Sequence, residues 1–422
     1  MSDILNKATE LGRRRFISNI ARSALGVGVG LPFLQPAAAE LLPQNDMKLI
    51  FLYMAGGMSH IDTFDPQPGR EEAGPVKAIG TNVDGIQLSE FFPNLASQMD
   101  KLAIIRSMYS TQGAHSQGNY YMHTGYQKRG SIVHPTMGSW SMLHQGKINP
   151  TLPGNIVIAA GSDYPYAGFL PPELGPVPLG DPGKGLQHSN RPNWINEVQY
   201  HDQLQLASVF DQSFQAKYKQ RNITAYNTFY EEAIALMQSK DLAAFDISKE
   251  PAELRQRYGA NSKFGQGCLL ARRLIEHGVR CVEVVKGGWD SHNEMPEEHA
   301  RDLDQGLAAL MQDLADRGLL ESTIVVVATE FGRNPTLKAE TMGRDHWAKA
   351  FSCLIGGGNI KTGQVVGATD RGHEVKTGQI LIPDLHATIG SAMGMPIKKV
   401  IHSPSGRPFN VGYKGNPVAD LI

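Results

Sequence analysis

Residues 297–330 read EEHARDLDQGLAALMQDLADRGLLESTIVVVATE. Leu303, Leu307, Leu310 and Leu314 recur at three- and four-residue steps while Asp302, Asp304, Gln312 and Asp313 fall elsewhere, which predicts an amphipathic helix over Glu297–Arg317. Gly318 is a good C-terminal stop. The run Thr323–Thr329 that follows is β-branched and almost wholly apolar, so a strand there has no side suited to water. A helix that hands the chain to a strand buried on both faces is the repeating unit of a parallel sheet covered by helices.

The same unit occurs upstream. Asn261–His277 carries Leu269, Leu270, Leu274 and Ile275, with an Asn at its start and Gly278 just past its end, and it leads into the β-branched run Arg280–Val285. Further strand-like runs are Lys48–Met54, Leu102–Arg106, Asn155–Ala159 and Phe351–Ile355. The fold class expected is α/β with a mainly parallel sheet, whose ligands bind beyond the carboxyl ends of its strands. From Tyr164 to Pro192 the chain is dense in Pro and Gly, without periodicity, and reads as a surface excursion at the rim of a site.

The N-terminus has a separate character. Arg13-Arg14-Arg15-Phe16 precedes an apolar stretch diluted by Gly26, Gly28 and Gly30, and Pro36-Ala37-Ala38-Ala39 follows. Basic, then apolar, then A-x-A is the layout of a cleavable export signal, and the arginine pair points to the twin-arginine route to the periplasm or exterior. The expectation is a signal over 1–39, cleaved after Ala39, and one domain over 40–422 with an excursion around 164–192. The apolar stretch is shorter than the ~20 residues that span a bilayer, and later apolar runs are strand-length. The mature chain is therefore expected to have no transmembrane span.

Forty basic and forty-one acidic residues leave a formal charge of −1, which provides no general attraction to nucleic acid or anionic membrane. Cys268, Cys281 and Cys353 show no C-x-x-C spacing, so no zinc knuckle or disulfide framework is expected, and all three read as core residues. No protein partner can be named from the sequence.

Histidines and carboxylates gather just after the strands. Ser59-His60-Ile61-Asp62 with Asp65 follows the first, Trp289-Asp290-Ser291-His292 the fourth, and Glu330 the fifth, with Gly343-Arg344-Asp345-His346-Trp347 beyond it. Gly113-Ala114-His115-Ser116-Gln117-Gly118-Asn119 is a further cluster. One such residue is more often a turn former or cap than a ligand. Five clusters at one sheet edge instead offer the imidazoles and carboxylates that zinc or manganese would need.

On Gly56 to Pro66, Gly288-Trp289-Asp290-Ser291-His292, Glu330-Phe331-Gly332-Arg333-Asn334-Pro335 and Gly343-Arg344-Asp345-His346-Trp347, the chain resembles the domain of unknown function 1501 family, a branch of the alkaline phosphatase and sulfatase superfamily. His115 to Gly125 resembles that superfamily's nucleophile-bearing helix, and Asp384-Leu385-His386-Ala387-Thr388 its late Asp-Leu-x-x-Thr helix. The resemblance implies a three-layer α/β/α sandwich of alkaline phosphatase type, a bound divalent metal, and hydrolysis or transfer of small anionic phosphate or sulfate esters. Zinc or manganese is the expected metal, with calcium or magnesium as alternatives. Asp290, His292, Glu330 and His346 match ligand positions.

Three departures bear on the activity. Ala55-Gly56-Gly57 replace the acidic residue at the end of the first strand, so Asp62 or Asp65 would have to reach back, and Asp62 is the ligand expected. The nucleophile position falls at His115, beside Ser116; Ser116 could attack, and His115 could equally be a metal ligand or a phosphorylated nucleophile. Glu330-Phe331 replaces an Asp-His pair, which favours one metal or an altered pair over two zinc ions. Arg344 and Arg333 either grip an anionic substrate or form ion pairs. The alternative to a hydrolase is a non-catalytic secreted binding or assembly protein that keeps the fold, with or without a structural metal.

Overall fold

The computed structural model describes residues 45–130, 132–186, 239–293 and 297–422, with positions 196, 199, 232 and 235–237. The expected signal over 1–39 lies outside the described residues, as does the end of the excursion, 187–192.

Among the described residues nine strands form the main sheet: β1 (Lys48–Met54), β2 (Leu102–Tyr109), β3 (Asn155–Ile158), β4 (Val177–Leu179), β5 (Cys281–Lys286), β6 (Thr323–Ala328), β7 (Phe351–Gly356), β8 (Gln364–Val366) and β9 (Ile380–Leu381). Their order is β8-β2-β7-β6-β1-β5-β3-β4, with β9 also beside β2. Every pairing is parallel except those of β7, which runs antiparallel between β2 and β6. The sheet is thus mainly parallel, as the near-continuous apolar runs require.

Each face of β1 supplies a different core. Ile50, Leu52 and Met54 pack on one side with Leu269, Leu270 and Leu274 of α3 (Lys263–Glu276) and with Leu303, Leu307, Leu310 and Leu314 of α4 (Glu297–Asp316). Leu49, Phe51 and Tyr53 point the other way, into the layer of α1 (His115–Thr124), α2 (Met137–Gln145) and α5 (Ile382–Ala392). Helix, sheet and helix make three layers. The α3 helix begins where the Ser262 side chain accepts from the Gly265 N–H at 3.2 Å. Gly278 and Gly318 follow α3 and α4 with φ of 88° and 66°, the left-handed turn that stops a helix.

The expected Pro-rich excursion holds an unforeseen edge strand, β4. Proline density hid it: Pro178 lacks an N–H, and only at a sheet edge, here beside β3, is that loss tolerated. Cys268, Cys281 and Cys353 are free and buried. No described helix is long and apolar enough to cross a membrane.

Candidate metal centre

Strand register assembles the site. Tyr53 pairs with Val285 on one side and Ala328 on the other, so β1, β5 and β6 end level. Their extensions Ala55–Gly57, Gly287–Asp290 and Thr329–Glu330 then leave the sheet side by side. β2 emerges at the same edge, and after the turn 110–114 the chain starts α1 at His115. His346 arrives on a two-residue antiparallel ladder, His346–Trp347 against Gly332–Arg333.

Three imidazoles converge on one carboxylate oxygen. From Asp290 Oδ1, the Nε2 atoms of His115, His292 and His346 stand at 3.2, 3.4 and 3.4 Å. The opposite nitrogen of each ring faces an oxygen acceptor. His115 Nδ1 lies 2.6 Å from Glu330 Oε1, His292 Nδ1 2.9 Å from Asp345 Oδ1, and His346 Nδ1 3.0 Å from the Gly113 carbonyl. Carbonyl and carboxylate oxygens only accept, so each Nδ1 carries a hydrogen, and where the ring holds no second proton its Nε2 lone pair faces Asp290. Three lone pairs facing a carboxylate repel unless protons or a cation stand among them. Buried His115 Nε2 makes no well-aligned hydrogen bond among the described residues and faces Asp290 Oδ1, so the donor set fits a cation. Nδ1 bound to a carboxylate or carbonyl, with Nε2 toward the ion, is the usual outer support of a histidine ligand. The ligand atoms of His115, Asp290 and His346 all lie within 4.8 Å of one another.

The charges agree. Partial burial opposes ionisation of Asp290, but the hydrogen bond from Arg333 Nη2 at 2.8 Å and the nearby His115 outweigh it and hold the carboxyl well below its usual range. His115 is pushed up, chiefly by its hydrogen bond to Glu330. Arg333 is buried and also donates to the carbonyls of Gly57 at 2.7 Å and Trp289 at 3.2 Å. It braces the turn that carries Asp290.

Asp290, His292 and His346, expected as ligands, are therefore brought together, and His115 joins them. Fully buried Glu330 touches the cluster through His115. Asp62 is placed elsewhere: Arg344 Nε and Nη2 donate to its two carboxylate oxygens at 2.8 and 2.9 Å, and both residues are buried. Asp62, expected as a ligand, and Arg344, expected as an anion holder, are thus placed as each other's bidentate buried partners. Arg333 likewise spends its donors on the protein. Ser116 is exposed beside His115. Sequence reasoning left out Tyr53, whose hydroxyl donates to Glu330 Oε2 at 2.9 Å, and Asp345 as the partner of His292. A tyrosine near the end of the apolar run KLIFLYM was the available signal for the first.

Residues 46–422 match the family described as protein of unknown function (DUF1501). The chain belongs to that family. Among curated proteins, none matches it. Solved structures with a similar fold include a protein in the alkaline phosphatase superfamily from Vibrio parahaemolyticus, with 10% identity and TM-score 0.39, covering 96% of this chain and 79% of that one. A sulfatase from Pseudoalteromonas sp. has 14% identity and TM-score 0.40 over 90% of this chain and 72% of its own. The lipoteichoic acid synthase LtaP from Listeria monocytogenes has 10% identity and TM-score 0.38 over 91% and 79%.

Proposed function

We propose that this DUF1501 protein is a metal-dependent hydrolase of phosphate or sulfate esters, with one divalent ion held by His115, Asp290, His292 and His346. The convergence of three Nε2 atoms on Asp290 Oδ1, each ring held by an oxygen at Nδ1, carries the reading. Three nitrogens and one oxygen suit zinc or manganese; calcium and magnesium prefer oxygen throughout. A bound ion would supply Lewis-acid stabilisation of charge on the transferred group. The side chains of Asp290 and His292 are about half exposed, at 50% and 47%, and leave the face from which a small anionic ester would approach.

One observation favours a binding protein with a structural metal. The nucleophile position by resemblance is His115, whose Nδ1 is engaged by Glu330 and whose Nε2 points into the ligand cluster. The two readings separate experimentally. Metal analysis of purified full-length protein should find one divalent ion per chain, and His292→Ala and His346→Ala should each weaken its retention by more than the ~10 to 100-fold that supporting residues account for. Aryl phosphate or sulfate turnover by the metal-loaded protein supports the hydrolase. Metal without turnover supports the binding protein, and wild-type protein with neither sinks both.

A further inference from the structure

Glu330 stands where the resemblance puts a ligand, yet its two oxygens already have four protein donors. Oε1 accepts from the Gly56 N–H at 2.9 Å and from His115 Nδ1 at 2.6 Å. Oε2 accepts from the Tyr53 hydroxyl at 2.9 Å and the Thr329 hydroxyl at 3.1 Å. A carboxylate offers about four acceptor sites, so none is left for an ion. The residue is fully buried, and a buried carboxylate stripped of those donors would be strongly disfavoured.

The four donors come from different elements. Tyr53 belongs to β1 and Gly56 to its extension, Thr329 follows β6, and His115 opens α1. The Tyr53 hydroxyl, whose one hydrogen goes to Glu330, also touches the Asn119 side-chain amide, which can meet it only through its NH2 group. Asn119 lies four residues after His115 and so on the same helical face. One buried carboxylate and one tyrosine thus pin both ends of the first turn of α1 to the sheet.

We propose that Glu330 is a positioning residue outside the coordination shell, and that with Tyr53 it holds His115 in the Nδ1–H form with Nε2 turned to the ion. The proposal rests on the metal-site reading above, and its test does not require turnover. In Glu330→Gln the amide oxygen can still accept from Gly56 and His115, while the NH2 group faces two hydroxyls able to accept from it. Titrated with zinc, wild type should bind one ion per chain, and Glu330→Gln should bind one ion ~10 to 100-fold more weakly, whereas His115→Ala should fall further. Zinc binding by Glu330→Gln as poor as that of His115→Ala would make Glu330 a ligand and overturn the proposal. Unchanged affinity would overturn it as well.

A nitrogen-resolved NMR spectrum of the metal-free protein at alkaline pH gives a second readout. It should place the His115 ring proton on Nδ1, moved downfield by the charged acceptor and back upfield in Glu330→Gln; a proton on Nε2 overturns the proposal even if zinc binds. Wild type that keeps this Nδ1 signal but takes up no zinc overturns the metal reading instead. Should Glu330→Gln fail to fold, Tyr53→Phe serves: several-fold weaker zinc binding with an unchanged circular dichroism spectrum is expected, and wild-type affinity would overturn the pinning role.

Discussion

At Gly56 a single missing side chain explains why the end of the first strand supplies no acidic ligand. Ala55-Gly56-Gly57 stand where the resemblance implies an acidic ligand. In the fold, a Cβ on Gly56 would lie 2.2 Å from the Asp290 main-chain nitrogen, so the main chain of the neighbouring strand end fills the space that a side chain would need. The carboxylate comes from β5 instead. Gly56 also has φ of +122°, a conformation L residues rarely adopt. Gly56→Ala should therefore cost ~1 to 3 kcal/mol in backbone strain and push Asp290 away from the histidines. Thermal unfolding and metal titration check this together. A variant with wild-type melting temperature and affinity would mean that the two main chains do not meet here.

Among elements, α1 concentrates the question of function, and Gly118 within it is the informative position. Glycine in a helix interior is ~1 kcal/mol worse than alanine, so on an open helix Gly118→Ala would stabilise. Here the added Cβ would meet Glu330 Cβ at 3.0 Å and Phe331 Cδ1 at 3.2 Å. The expected outcome is no gain in melting temperature and ~10-fold weaker metal binding, because α1 must lift and carry His115 with it. A higher melting temperature with unchanged affinity would show that α1 does not depend on this close approach. The elements themselves were largely legible: Lys48–Met54 is the strand the apolar run predicts, and α4 ends at Asp316, next to the predicted Arg317. Apolar runs and glycine stops are local signals, readable one segment at a time. What the site residues do was less legible. Asp62 and Arg344 are 282 positions apart, and the same residue types serve as ligand and anion holder or as an ion pair, depending on how two loops pack. The direction of β7 depends likewise on its neighbours.

Across the whole molecule, the layer of α1, α2 and α5 contains four buried histidines outside the metal cluster among the described residues, His123, His134, His144 and His386, and burial dominates three of them. His134 stacks on Tyr126 with ring centroids 4.4 Å apart, His144 lies parallel to Trp140, and His386 Nε2 donates to the Met122 carbonyl at 2.7 Å. Burial pushes His134, His144 and His386 down to about 4. His144 Nε2 and His386 Nδ1 have no hydrogen-bond partner among the described residues, as suits neutral rings. The sign follows from linkage. With folded pKa values below the unfolded ~6.5, the unfolded chain binds more protons, so stability is full above about 6.5 and is lost as pH falls toward about 4. Each histidine can contribute up to roughly 3 kcal/mol of that loss, which together rivals the 5–15 kcal/mol that commonly holds a domain folded. His123 acts in the opposite sense: burial lowers it, but the charge of Glu283, 2.8 Å away, raises it overall, so this pair loses its contribution as pH rises. The two effects separate by substitution. Urea unfolding at pH 7 and pH 5 should show a marked drop for wild type, and the drop should shrink in His144→Gln and in His386→Gln even where those variants are weaker at pH 7. Equal drops in wild type and both variants would mean that these rings take up no protons on unfolding, and the acid sensitivity of this layer would have to come from its carboxylates.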